Sequence, residues 1–444
     1  MVVPDIDDRT LLYTGGLRPT TPAGVTIGPA TAHSRAGQVA TLTAVNILAR
    51  SHPALVLAVP DAPLIVDSPK GGISLVDACQ RIALAARPAL AVTVAHAMPD
   101  DVLAIGIGPD PGRAAIYAGG RRWTATTGTT PQPLDASESS LLGLGAAVTL
   151  ATGWIFRKAI GLPAIAERGV SLWSLSAATE ATGSAPLKPL DVGRVWMVGA
   201  GAVGSCLAWW LRLVGVTSPW TIIDRDVVDP TNLNRGLGLF ADDVGEPGTP
   251  MYKSEVAAAL VPGATEFVGW WRDWAARDEP SPDVILPLAN DYGVRADIAA
   301  YSHPATLHAT TSRNWGAELH RHLIGTDGCI ACRFPEEAPV FECATGTVQR
   351  TPKDPGRDAA LPFLSAAAGL VLTAALIQLS EGSWLGHSRN GWRLWFDDSA
   401  TPLSSSRWHC TNGCLALSTP AVRGIVHGVT RWFSHDQADV SVDY

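Results

Sequence analysis

Two short cysteine pairs and one glycine-rich loop carry most of the recognisable chemistry. "CIAC" sets Cys329 and Cys332 three positions apart, and "CTNGC" sets Cys410 and Cys414 four apart much further along. Each pair offers two thiolates from one tight turn, and two such turns make a closed tetrahedral site for structural Zn2+. A closed site leaves no open position, so no water activation is implied. Cys79 and Cys206 fall in apolar helical stretches and are expected in the core. His303, His308, His320 and His322 have no carboxylate motif beside them and are expected to be structural. The loop "VGAGAVGS" places Gly199, Gly201 and Gly204 after the apolar run "RVWMV" and before "SCLAWWLRLVGV". Strand, tight turn and helix in that order present backbone amides and a helix N-terminus to a phosphate. "PWTIID" follows as a second strand ending in Asp224, an acceptor for ribose hydroxyls.

The loop alone would suggest a dinucleotide and hydride transfer. The next residues change that. "DRDVVDPTNLNRGLGLF" and "DDVGEPGTPMYKSEVAAAL" set Asn232, Asn234, Arg235 and Lys253 just beyond the second strand. A dehydrogenase has no need of these cations there. An enzyme that brings a carboxylate to the α-phosphate of ATP does, because the triphosphate and the departing pyrophosphate must be neutralised.

Taken together, the segment from Val195 to Lys253 resembles the ThiF/MoeB superfamily, the ubiquitin-activating enzymes and their bacterial relatives. The glycine loop, the Asp-x-Asp-x-Val strand end, the Asn-Leu-x-Arg motif and the downstream lysine occur in order, and the likeness extends over roughly residues 191–420. The resemblance implies ATP and Mg2+ as cofactors. It implies that Asp224 holds the ribose and that Asn232, Arg235 and Lys253 hold the phosphates. The family's magnesium-binding acid lies in an Asp-Asn-x-x-x-Arg run. Here the run is "LANDYGVR", with Asn290 in the acid's place and Asp291 one later, so Asp291 is assigned the metal. Cysteine pairs occupy these two places in the family, usually both Cys-x-x-Cys. Cys343, in "PVFECATG", falls where the family has its nucleophile and would take the acyl group as a thioester.

Positioning this chemistry requires a doubly wound α/β sheet. Further strands are expected at "DVILPL", "ATLHAT", "HRHLIG" and "RLWF", with a late apolar helix over Leu361–Leu379. Residues 1–180 repeat the rhythm without the glycine loop: strands at "GVTIG", "PALVLAV", "VLAIGIG" and "AAIYAG", and helices at "AGQVATLTAVNILAR" and Leu141–Phe156. The expected architecture is a Rossmann-like adenylation domain at 191–444 behind a degenerate copy of the same fold. "SAATEATGSAPLKPLDVG" reads as the linker. This arrangement resembles activating enzymes of bacterial ubiquitin-like conjugation operons, some of them antiviral. In that family the partner copy lends an arginine to the ATP site, and Arg9, Arg18 and Arg35 are the candidates.

The 444 residues are 47% hydrophobic and 17% charged, as expected for a globular protein of two or three domains. A net charge of −8 argues against nucleic-acid binding, which needs a basic surface. The opening residues have neither a basic nor an apolar signal region, so a cytoplasmic protein is expected. Ser139–Phe156 and Ala359–Ser380 are long uncharged stretches, read as buried core helices rather than membrane spans. The sixteen tryptophans, Trp209, Trp210, Trp270 and Trp271 among them, are expected in core or interface positions. The function so implied is activation of a ubiquitin-like protein's C-terminal glycine, with transfer to a conjugating enzyme. Alternatives are a sulfur-carrier or peptide-precursor adenylating enzyme, a non-catalytic scaffold for a ubiquitin-like protein, and an NAD-dependent dehydrogenase. The smaller relatives are homodimers, which leaves a homodimer open here.

Overall fold

The computed structural model describes residues 7–135, 140–180, 187–246, 249–301, 305–323, 327–334, 359–382, 388–410 and 414. In the first half the apolar runs become β1 (Ala23–Ile27), β2 (Ala54–Ala58), β3 (Ala91–Val94), β4 (Leu103–Ile107) and β5 (Ile116–Arg121). They are followed by β6 (Thr124–Gly128), β7 (Arg168–Ser171) and β8 (Ser176–Ala177). The helices are α1 (Asp8–Thr14), α2 (Pro29–Ala32), α3 (Arg35–Ala49), α4 (Leu75–Ala86) and α5 (Ser140–Ala159). The second half has β9 (Val195–Val198), β10 (Trp220–Ile223), β11 (Thr265–Phe267), β12 (Val284–Pro287) and β13 (Ala305–Ser312). After these come β14 (Gly316–Leu323), β15 (Gly391–Trp395) and β16 (Leu403–Ser406). Its helices are α6 (Ala202–Val214), α7 (Lys253–Leu260), α8 (Trp271–Ala275), α9 (Tyr292–Ala300), α10 (Ile330–Arg333) and α11 (Pro362–Ser380).

The two sheets have the same order. One runs β3-β2-β1-β4-β5-β6-β7-β8 and the other β11-β10-β9-β12-β13-β14-β15-β16. In each, five strands are parallel and three antiparallel strands close one edge. The long helices that follow the leading strands, α3 and α6, correspond, as do α5 and α11 between the sixth and seventh strands. The faint repeat in the sequence is therefore a duplicated topology. Parallel strands packed on both faces are largely apolar, which is why β9 is legible as an unbroken run; the wholly buried β1 carries one polar residue, Thr26, whose hydroxyl donates to the Pro111 carbonyl.

The halves meet through these helices, and one hydrophobic cluster runs through both. Trp209 of α6 donates its indole N–H to Thr43 of α3 at 3.3 Å, and Trp210 donates to the Ala366 carbonyl of α11 at 3.0 Å. Phe156 of α5 meets Phe363 of α11 with ring centroids 5.4 Å apart. Helix α11 is long and apolar enough to cross a membrane, but 94% of its apolar stretch is buried inside the protein, as expected of a core helix. The supposed linker proves structured at both ends. Ser176–Ala177 form the last strand of the first sheet, and Leu190 bridges to Val216. Small polar residues suit an edge strand as well as a loop, so composition did not separate the two.

Candidate functional site

A cleft of about 570 Å3 opens at the carboxyl ends of β9, β10 and β12, where an open α/β sheet binds its ligands. The glycine loop forms one wall. Gly199 has φ +105°, and a Cβ there would lie 2.4 Å from the Ala289 amide nitrogen, so only glycine fits. Gly201 also lines the cleft, with open space around its Cβ position. Gly204 faces elsewhere: it sits in the first turn of α6, where a Cβ would lie 2.2 Å from the Gly199 carbonyl oxygen. Its task is close helix–strand packing.

Asp224 ends β10 and is nearly buried. Its carboxylate accepts N–H bonds from Ala200 at 2.7 Å and from Asp226 at 2.8 Å, and so fastens the glycine loop to the second strand. Burial pushes its carboxyl up from the ordinary value, against the pull of those two amides. Lys253 opens α7, and its ammonium lies 3.0 Å from Asp226. Asn232 accepts the Asp229 amide at 3.0 Å in a reciprocal cap. Arg235 donates to the Asn234 side chain at 2.9 Å, and buried Asn234 donates in turn to Thr10 of the first half at 3.4 Å. Asn234, which could have been an ordinary turn residue, thus joins the two halves. Asn232, Arg235 and Lys253 all reach the cleft wall.

The transposed pair lies opposite. Asp291 is the N-cap of α9, accepting the Val294 amide at 3.2 Å. Asn290 accepts from Arg295 at 2.8 Å. Both line the cleft and both are exposed. Six cationic side chains (Arg9, Arg225, Arg235, Lys253, Arg295, Arg313) face three carboxylates (Asp224, Asp226, Asp291) there. A cationic cleft in a chain of net charge −8 selects an anionic ligand.

Of the three candidate arginines, Arg9 enters this cleft. It rides on α1, which Tyr13 pins to the second half. The Tyr13 hydroxyl donates to the Ser312 carbonyl at 2.7 Å and accepts the Trp315 amide at 2.8 Å. Four residues apart on a helix, Arg9 and Tyr13 share a face. Arg18 is exposed, and Arg35 donates to the Leu213 carbonyl at 2.7 Å.

One expectation needs correction. Trp270 is 49% exposed at the cleft, with the Arg225 guanidinium 3.4 Å over its ring, rather than in the core. His308 is buried with its two fellow histidines, but it also lines the cleft. His308, His320 and His322 stack in a ladder with centroids 5.7 and 6.4 Å apart. Burial pushes His308 and His320 below the usual histidine range, for His320 against the opposing pull of the Glu318 carboxylate 3.1 Å from its Nε2. His303 and Cys343 lie outside the described residues.

Cys329, Cys332, Cys410 and Cys414 come together with their sulfur atoms all within 4.8 Å of one another. The Cys410 and Cys329 sulfurs accept the amides of Cys329 and Cys332, at 3.0 and 3.4 Å. Four soft sulfurs with amide support fit a tetrahedral Zn2+. The knuckle leads to Phe334, whose ring meets His308 and His320 edge-on at 4.9 and 5.2 Å.

Residues 174–390 match the ThiF family, and residues 23–175 match the BilD N-terminal domain. The second half is thus a ThiF-family domain, preceded by a match to the BilD N-terminal domain. Among curated proteins the chain is similar to the SAMP-activating enzyme E1 of Haloferax volcanii, 31% identical over 166 residues. That similarity covers 34% of this chain and 58% of the relative's length. Among solved structures it is similar to E. coli MccB with ATP, at 18% identity and a TM-score of 0.38, over 51% of this chain and 66% of MccB. The complex of MccB with AMPCPP and selenomethionine-labelled MccA gives 17% identity and a TM-score of 0.39, over 50% and 66%.

Proposed function

We propose that this protein activates the C-terminal glycine of a ubiquitin-like protein with ATP. What supports the reading is one convergence: glycine-loop amides, Asp224, Asn232, Arg235 and Lys253 meet Arg9 of the other half around one cationic cleft. In the proposed reaction a carboxylate oxygen of the glycine attacks the α-phosphorus, the bond to the β-phosphate oxygen breaks, and pyrophosphate leaves. Arg9, Arg235 and Lys253 offset the charge gathering on the phosphates. Asp224 accepts from the ribose while keeping the loop closed. Asp291, with Asn290 beside it, offers the oxygen ligands a hard cation prefers. Mg2+, when bound, supplies positive charge to the phosphate oxygens. The Cys343 thiolate then attacks the acyl carbonyl, AMP leaves, and the thioester carries the acyl group to a conjugating enzyme. Zn2+ in the four-cysteine cluster joins distant segments and takes no part in the chemistry.

The test is intact mass of the protein after mixing with ATP, Mg2+ and a ubiquitin-like protein, alongside ATP–pyrophosphate exchange. A reductant-sensitive adduct absent from Cys343→Ala is expected. Exchange without an adduct would support adenylation for a sulfur carrier or peptide precursor, and no exchange with retained partner binding would leave a scaffold.

A further inference from the structure

The first half contributes more to the cleft than Arg9. Arg50 follows α3 and is fully buried, yet it is a cation. A buried charge is costly unless each donor finds a partner. Its Nε donates to Asn46 Oδ1 at 3.0 Å. Its two terminal nitrogens reach across to the second half, to the carbonyl oxygens of Leu233, Leu237 (3.5 Å) and Leu239 (2.9 Å). Asn46 itself donates to the Leu237 carbonyl at 3.0 Å. The guanidinium also lies 5.4 Å over the Phe240 ring.

These carbonyls belong to the loop that carries Asn232 and Arg235, and Leu233 directly follows Asn232. From the other side, Cys206 of α6 accepts the Leu237 amide at 3.4 Å and donates to the Arg235 carbonyl at 3.5 Å. A loop whose carbonyls converge on one guanidinium has its curvature dictated by that group. Burial lowers the Arg50 pKa to about 10, so it stays charged at neutral pH.

We propose that Arg50, supported by Asn46, is a positioning residue for the phosphate-binding loop 232–239, so that the degenerate half holds the other half's nucleotide site in shape. The proposal rests on the adenylation reading for the loop's purpose, but not for its geometry.

The test compares wild type with Arg50→Met, Arg50→Lys and Trp209→Phe in the full chain. Two quantities are read: hydrogen–deuterium exchange over residues 232–240, and the Kd for ATP with Mg2+. Arg50→Met is expected to lose protection over 233–239 and to bind ATP at least about tenfold more weakly. Arg50→Lys, which keeps the charge and can satisfy part of the set, is expected to regain some of both. It also decides the matter if the Met variant does not fold. Trp209→Phe removes a bond at the same interface and is expected to leave the loop's exchange unchanged. Unaltered protection and Kd in Arg50→Met overturn the proposal, as does equal loosening of the loop in Trp209→Phe. If wild type binds no ATP, the adenylation reading fails, and the exchange data still decide Arg50.

Discussion

Asp291 has one role in the structure and a second proposed for it, and one atom separates the two. Its side chain caps α9 through the Val294 amide at 3.2 Å, and its carboxylate is the one assigned to Mg2+. Asparagine caps a helix as well as aspartate does, so Asp291→Asn keeps the cap and loses only the charge. The remaining cost is the favourable charge at the helix N-terminus, and the total should stay under about 1 kcal/mol. Asp291→Ala loses the cap as well and should cost about 1–2 kcal/mol. If Asp291 holds the metal, the Asn variant should need about tenfold or more Mg2+ for half-maximal pyrophosphate exchange, equal to about 1.4 kcal/mol of binding. Urea unfolding and exchange over a Mg2+ series measure the two effects. The double variant Asn290→Asp with Asp291→Asn restores the family's order. There the carboxylate moved one position back would face Arg295, which now donates to Asn290 at 2.8 Å, and the cap is retained. It should regain the Mg2+ response. An Asn variant at 291 whose Mg2+ dependence matches wild type would refute the assignment, whatever happens to stability.

Acid should destabilise the fold through its buried neutral histidines. Burial pushes His52 down to about 3 from an unfolded value of 6.5. The folded state therefore refuses a proton that the unfolded chain accepts, and stability present above pH 6.5 is lost as the pH falls below it. At pH 5 this amounts to about 2 kcal/mol for His52, with His308 and His320 acting in the same direction. Urea midpoints at pH 7 and 5 should show it, and His52→Asn should be flatter by about that amount; equal slopes contradict the argument. Elemental analysis should find about one zinc per chain, lost in Cys329→Ser, and chelation should lower the melting temperature. A metal-free protein of unchanged stability would count against the site. Arg9→Ala should lower pyrophosphate exchange about a hundredfold while leaving ATP affinity within a few-fold, since its charge matters most as pyrophosphate departs. Equal loss in Arg18→Ala would remove Arg9's special place.

Chemistry that depends on spacing along the chain was readable without a fold. Gly199, Gly201 and Asp224 lie around one strand–turn–helix, and Asn232, Arg235 and Lys253 follow within the same crossover, so order along the chain already grouped the residues that line the cleft. The cysteine pairs were legible because a metal demands fixed ligand types in short turns. Unbroken apolar runs betrayed β2, β9 and β12. Strands such as β6 ("TATTG") and β11 ("TEF") escaped because threonine and glutamate on short or edge strands give no alternation to read. Which distant residues complete the site was decided only by packing. Arg9, one of three arginines the family resemblance offered, and Arg50, which nothing nearby in sequence marks, lie roughly two hundred positions from the residues they meet at the cleft and at the loop 233–239. Trp270 was expected in the core or an interface and His308 as structural, and only the fold leaves Trp270 half-exposed and sets His308, though buried, against the cleft. Local backbone geometry and ligand types follow from neighbouring residues alone, since both are short-range consequences of residue chemistry. The tertiary structure decided which half supplies what to the cleft, because that follows from packing α3 and α5 against α6 and α11, a pairing that no local pattern encodes.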